Sequence, residues 1–266
     1  MNTYRFPDYE VAGDADTTVF LLHGAYGSRA YFRPLIQTLV EAGYRVVAWD
    51  APGYGLSPLP QGGLSIEGLA EAAARLIERE GSRRNVVVGH SMGGIVAPLA
   101  SLLSQGRVHG VVISATVATF SRKSAQDKAT FAEERIGPIR RGLPFKEAAL
   151  PVIRGMLAPT SSGPLVDLVV DVASGMRADT FCAAIEAIVG YDGEDNLKAV
   201  SVPTLLIAGA QDKVGRPEGM QSLTALISNS RFVCIDGAAH YAFAEQAGAF
   251  NAALLGFLSE LPDPHA

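Results

Sequence analysis

The stretch 86–100, VVVGHSMGGIVAPLA, decides how the rest of the chain is read. Three successive valines fit a strand covered on both faces, and the small apolar residues after Gly94 fit a closely packed helix. Between them Ser91 stands in Gly89-His90-Ser91-Met92-Gly93, the pattern G-x-S-x-G. A sharp strand-to-helix turn forces such a serine into a strained backbone, and glycines at 89 and 93 remove β-carbons that would collide. In return the hydroxyl is held at the mouth of a sheet, with the unpaired N–H groups of a helix start behind it.

Working outward, short β-branched runs recur at 17–22 (TTVFLL), 45–50, 85–90, 107–114, 203–209 and 231–236. Helical patterns separate most of them. The segment 65–81 opens on Ser65 as an N-cap and closes on Gly81, and 32–43 also closes on glycine. Strand–helix alternation predicts an α/β protein with a mostly parallel central sheet flanked by helices. The rhythm breaks once, because no convincing strand appears from Val117 to about Val200. That stretch holds five prolines and helical pieces at 121–136 and 178–191, so it is expected to form a helical cap (117–200) inserted into a core of residues 1–116 and 201–266. Before Thr17 there is room for one strand or an irregular arm, with Pro7 in the middle of the only candidate.

A serine nucleophile needs a base, and the chain has five histidines. His265 lies in the tail, His109 falls within a strand run, and His90 is expected to point to the opposite side of the elbow from Ser91. His23 opens the glycine-bearing loop LLHGAYGS and is expected to brace it. His240, just beyond the last strand in IDGAAHYAFAEQ, is left as the base. The base needs a carboxylate to fix its tautomer. Asp212 follows the strand that returns from the insertion, and Asp236 is its main rival. The order Ser91, Asp212, His240 is the order of an α/β-hydrolase. The oxyanion donors are expected to be the N–H groups of Met92, the residue after the serine, and Ala25 in the HGAYG loop.

Composition narrows the class. The chain has 266 residues, 48% of them hydrophobic and 18% charged, which suits a compact core. A formal net charge of −5 argues against a nucleic-acid partner, and Arg135, Arg140 and Arg141 are expected to be a solvated cluster. No apolar run reaches the roughly 20 residues of a membrane span, and the first residues lack a signal-peptide pattern. A cytoplasmic protein is therefore expected, with Cys182 and Cys234 as free buried thiols. Neither metal-ligand spacing nor a dinucleotide or phosphate glycine pattern is present, so no metal and no cofactor is expected.

Taken together, HGAYG, WDAPGYGLSP (49–58), GHSMGG, VPTLLIAGAQD (202–212) and AAHYAFAEQ resemble the α/β-hydrolase superfamily across nearly the whole chain. The layout is similar to small bacterial carboxylesterases and lactonases, including 3-oxoadipate enol-lactonase-like proteins. The resemblance implies a cap after the sixth core strand and an acid after the seventh. It also implies Ser91, Asp212 and His240 as nucleophile, acid and base, and Ala25 and Met92 as oxyanion donors. The expected activity is hydrolysis of a small or medium ester or lactone through an acyl-enzyme. Tyr26, Tyr31, Met156, Phe181 and Tyr241 are candidates to border the substrate, and Arg135 or Arg140 to pair with a substrate carboxylate. A cofactor-free dioxygenase, a carbon–carbon bond hydrolase and a hydrolase-like ligand receptor stay open as alternatives.

Overall fold

A computed structural model describes residues 6–117 and 123–262. Among them a seven-stranded sheet runs in the order β1-β3-β2-β4-β5-β6-β7. Its strands are β1 (Tyr9–Ala12), β2 (Thr17–Leu22), β3 (Arg45–Trp49), β4 (Arg84–His90), β5 (Gly110–Ser114), β6 (Thr204–Gly209) and β7 (Ser230–Ile235). Only β1 is antiparallel, pairing Tyr9 with Trp49 and Ala12 with Val46. Every other pairing is parallel, from Leu22 against Gly89 to Gly209 against Ile235. Parallel pairing brings the C-terminal ends of β2, β4, β6 and β7 to one edge of the sheet, where ligands of such sheets gather.

The helices of the core are α1 (Arg33–Glu41), α2 (Ile66–Glu80) and α3 (Met92–Leu103). The Ser65 hydroxyl caps α2 by accepting from the Gly68 N–H at 3.0 Å, and Leu69, Ala73, Leu76 and Ile77 turn inward at helical spacing. Between β5 and β6 lie α4 (Ala125–Arg140), α5 (Phe145–Gly155), α6 (Pro164–Ser174), α7 (Ala178–Gly190) and α8 (Glu194–Ala199). Ser124 and Asp127 form a reciprocal capping box that starts α4. The chain closes with α9 (Pro217–Ser222), α10 (Ala242–Glu245) and α11 (Ala247–Glu260).

Three expectations are adjusted. In chain order the helical insertion follows the fifth strand and Asp212 follows the sixth, because a single strand precedes Thr17 among the described residues. Pro7 sits just ahead of that strand, where its missing N–H interrupts no ladder. The cysteines are not buried: Cys182 is half-buried and Cys234 exposed. The reason for Cys234 is that β7 is an edge strand, covered less completely than the central ones. Finally, Arg140 and Arg141 are exposed and paired with Glu186 and Glu133, whereas Arg135 is largely buried.

Candidate active site

The turn from β4 into α3 is as tight as the sequence demands. Ser91 has φ 53° and ψ −114°, a left-handed backbone that side chains rarely adopt. A β-carbon on Gly93 would strike the carbonyl oxygen of Leu22, and one on Gly89 the carbonyl of Gly93. The strain is held by a Ser91 N–H bond to the Ser114 carbonyl at 2.8 Å and by the Thr116 hydroxyl donating to the Ser91 carbonyl at 2.9 Å.

His240 reaches this serine from the loop after β7. Its Nε2 lies 3.1 Å from Ser91 Oγ, and its Nδ1 lies 2.9 Å from Asp212 Oδ2. A carboxylate only accepts, so Nδ1 carries the proton and Nε2 is left to accept from the serine hydroxyl. Asp212 is aimed by its own turn. Its Oδ1 accepts from the N–H groups of Val214 at 2.7 Å and Gly215 at 3.1 Å, which leaves Oδ2 for the histidine. Asp236 is exposed, whereas the Asp212 side chain is fully buried.

The loop after β2 abuts the serine so closely that a β-carbon on Gly24 would come within 2.9 Å of Ser91 Cβ. His23 braces it, with Nδ1 donating to the Gly24 carbonyl at 2.9 Å and Nε2 accepting from the Ala51 N–H at 3.0 Å. The Tyr31 hydroxyl accepts from the Gly24 N–H at 2.7 Å, and the Tyr54 hydroxyl donates to the Ala25 carbonyl at 3.3 Å. Among the described residues neither the Ala25 N–H nor the Met92 N–H meets a backbone or side-chain acceptor. Met92 is the first residue of α3, where the helix dipole adds partial positive charge.

The other candidates fall around this centre. Tyr26 stacks on Phe181 of α7 at 4.3 Å between ring centroids, and the Phe145 ring of α5 lies against both. The Met156 carbonyl accepts the His240 N–H at 3.0 Å. Tyr241 is buried edge-on to His240, with centroids 5.2 Å apart. Tyr31 is core, packed on Phe32 and Phe243, and it meets the site through its hydroxyl.

His90 is a correction. Its ring lies on the His240 side, 5.0 Å from the His240 ring and 5.4 Å from Tyr241. Strand alternation holds only through extended backbone, and the left-handed Ser91 ends it, so the preceding side chain, His90, does not fall opposite to it. Neither His90 ring nitrogen has a hydrogen-bond partner among the described residues. Burial first, then the proximity of His240 and His23, holds its pKa well below 6.5 and keeps the ring neutral.

Sequence reasoning missed Glu245. Its carboxylate accepts from the N–H groups of Ala239, Tyr241 and Ala158 and from the Ser161 hydroxyl, at 2.6–3.1 Å. Its spacing of four from Tyr241 on a short helix was the available signal. Among the described residues no group of three or more His, Cys, Asp or Glu side chains converges to hold a metal ion, and no helix is long and apolar enough to cross a membrane.

The model of the alpha/beta hydrolase family matches residues 19–253, most of the chain. The chain belongs to that family. Over 95% of its length and 95% of the relative's, it is 29% identical to a protein of Azorhizobium caulinodans named "Putative carbamate hydrolase RutD". It is 26% identical to the pimeloyl-[acyl-carrier protein] methyl ester esterase of Neisseria meningitidis, covering 94% of this chain and 79% of the esterase. Among solved structures it superposes on a thermophilic esterase from Thermogutta terrifontis with a TM-score of 0.83 at 25% identity, covering 95% of this chain and 93% of that one. It is thus a hydrolase of the alpha/beta family, with esterases among its relatives.

Proposed function

We propose that this hydrolase cleaves a carboxylic ester or lactone of small to medium size through an acyl-enzyme formed on Ser91. The observation that carries the reading is the continuous line from Asp212 Oδ2 through His240 to Ser91 Oγ, at 2.9 and 3.1 Å. Ser91 Oγ attacks the carbonyl carbon while His240 Nε2 takes its proton, and Asp212 stabilises the imidazolium that forms. The N–H groups of Ala25 and Met92 receive the charge that develops on the carbonyl oxygen, each contributing about 3–4 kcal/mol at the transition state. Collapse breaks the bond to the leaving alkoxide, which takes the proton from His240. Water, deprotonated in turn by His240, then releases the acid and restores the serine.

Residues 117–200 act as the cap in this reading, and Tyr26, Met156, Phe181 and Tyr241 border the substrate. The Tyr31 hydroxyl braces the oxyanion loop. The same machinery would cleave a carbamate, the substrate class named for one relative. A cofactor-free dioxygenase would leave the aligned Ser91 without a task.

The test is Ser91→Ala, assayed with p-nitrophenyl butyrate. Loss of turnover by about 10⁴-fold or more, with an unchanged thermal transition, is the expected result. Turnover at the wild-type rate in that variant overturns the reading.

A further inference from the structure

The turn that follows β3 reaches the proposed oxyanion hole from behind. It carries Tyr54 between two glycines in left-handed backbone, Gly53 at φ 89° and Gly55 at φ 52°. A β-carbon on Gly55 would strike the Asp50 carboxylate. The Tyr54 N–H closes the turn on the Ala51 carbonyl at 2.8 Å. Its side chain is fully buried, and burial pushes the phenol pKa up, which keeps the hydroxyl a neutral donor.

From that turn Tyr54 touches three parts of the oxyanion loop and elbow. Its hydroxyl donates to the Ala25 carbonyl at 3.3 Å and lies 3.9 Å from Met92 Sδ. Its ring packs on that of His23, with centroids 4.6 Å apart. Peptide planarity gives these contacts their meaning. The Ala25 N–H shares one plane with the Gly24 carbonyl, which His23 Nδ1 holds at 2.9 Å. The Ala25 carbonyl starts the next plane, and Tyr54 holds that one. With both planes held, the direction of the Ala25 N–H is held too.

The helical insertion grips the same turn. Thr180 of α7 is fully buried, and its hydroxyl donates at 2.8 Å to the Gly53 carbonyl, 127 residues away in sequence. A helical threonine can satisfy its hydroxyl within its own helix, whereas this one reaches across to the core. The next residue, Phe181, stacks on Tyr26, which follows Ala25. One turn of α7 therefore meets the oxyanion loop directly through Phe181 and from behind through Thr180, Gly53 and Tyr54.

We propose that Tyr54 and Thr180 are positioning residues for the oxyanion hole, through which α7 of the insertion sets the aim of the Ala25 and Met92 N–H groups. The inference rests on the acyl-enzyme reading above and gives the insertion a second task besides bordering the substrate. Charge that develops in the transition state is stabilised most by donors already in place, and a misplacement of about 1 Å can lower the rate by about 10²-fold.

The test measures kcat and KM for p-nitrophenyl butyrate in the full chain carrying Tyr54→Phe, Thr180→Val, Thr180→Ser or the pair Tyr54→Phe/Thr180→Val. Tyr54→Phe keeps the ring on His23 and should lower kcat by about 10- to 100-fold, while KM moves by less than about threefold. The acid limb of the pH profile should stay in place, because the change lies at the oxyanion donors and not at His240. Thr180→Val should lower kcat by about three- to tenfold, and Thr180→Ser, which keeps the hydroxyl, should restore it. Because both residues act along one path, the paired variant should be little worse than Tyr54→Phe alone. Butylboronic acid provides a second readout: the Ser91 oxygen bonds to its boron, the serine proton passes to His240, and a boronate oxygen enters the hole. Its affinity should fall in Tyr54→Phe by about the factor that kcat loses.

Unchanged kcat and boronate affinity in Tyr54→Phe, with only the melting temperature lowered, would overturn the proposal. So would losses that multiply in the paired variant. Should Thr180→Val fail to fold, Thr180→Ala drops the same hydroxyl without forcing a methyl group against Gly53, and the Tyr54→Phe results decide in either case. Wild-type turnover in Ser91→Ala would end the acyl-enzyme reading and this proposal with it, whereas an inactive Ser91→Ala beside a fully active Tyr54→Phe would end this proposal alone.

Discussion

Glu245 holds Tyr241 by its backbone N–H at 2.8 Å, and with the same oxygen it holds Ala239 at 3.1 Å. The two residues on either side of His240 are therefore pinned to one carboxylate atom. The other oxygen takes the Ala158 N–H and the Ser161 hydroxyl from the helical insertion. Glu245→Gln keeps one acceptor oxygen and turns an NH₂ toward donors that it cannot satisfy. Stability should fall by about 2–3 kcal/mol in urea denaturation. The rate kcat should fall by up to about 10²-fold as the imidazole loses its alignment. An unchanged kcat would mean that the loop is held well enough without this carboxylate.

Asp212→Asn should be more damaging to catalysis than to folding. The amide oxygen would stay on the Val214 and Gly215 N–H groups, which leaves the NH₂ facing His240 Nδ1. That arrangement forces the proton onto Nε2, where it cannot accept from Ser91. Loss of about 10⁴-fold in kcat is expected from the wrong tautomer. Activity within tenfold of wild type would move the acid to another residue.

Tyr31→Phe removes the one acceptor that the Gly24 N–H has among the described residues, in a loop so close to Ser91 that a β-carbon on Gly24 would collide with it. A stranded buried N–H costs about 1–3 kcal/mol, read as a lower melting temperature. Because the proposed oxyanion donor Ala25 lies on this loop, kcat should fall more than KM rises.

Stability should decline with acid before any carboxylate protonates. Burial lowers the pKa of both His23 and His90 below 6.5, so below that pH the unfolded chain binds protons that the folded chain refuses. Each ring then removes up to about 1.4 kcal/mol per pH unit as pH falls from 6.5 toward its folded pKa. Melting temperatures measured from pH 7 to pH 5 should fall, and His90→Phe should make the slope shallower. A slope unaltered by that substitution would show that His90 titrates alike in both states.

Much of this was legible because it depends on local chemistry. The Ser91 elbow, the strand runs and the chain order of Ser91, Asp212 and His240 follow from glycine placement and hydrophobic runs, which a single chain displays directly. The Thr17–Leu22 strand falls on the expected residues. What escaped depends on non-local packing. Nothing around Glu245 announces that it collects donors more than 80 residues away at Ala158 and Ser161. His90 was misplaced because the backbone at Ser91 is left-handed, and the direction it gives the neighbouring side chain is not displayed by the residues alone. Cys234 was misplaced because a run of apolar residues does not reveal whether its strand lies at the centre or the edge of a sheet.

The bond from the His240 N–H to the Met156 carbonyl has a consequence for how such enzymes diversify. The backbone of His240 is moored to the helical insertion, the segment that in the proposed reading caps the substrate and would be exchanged to alter its choice. A transplanted insertion from another hydrolase must therefore bring its own carbonyl to that spot, or specificity and proton transfer will drift together.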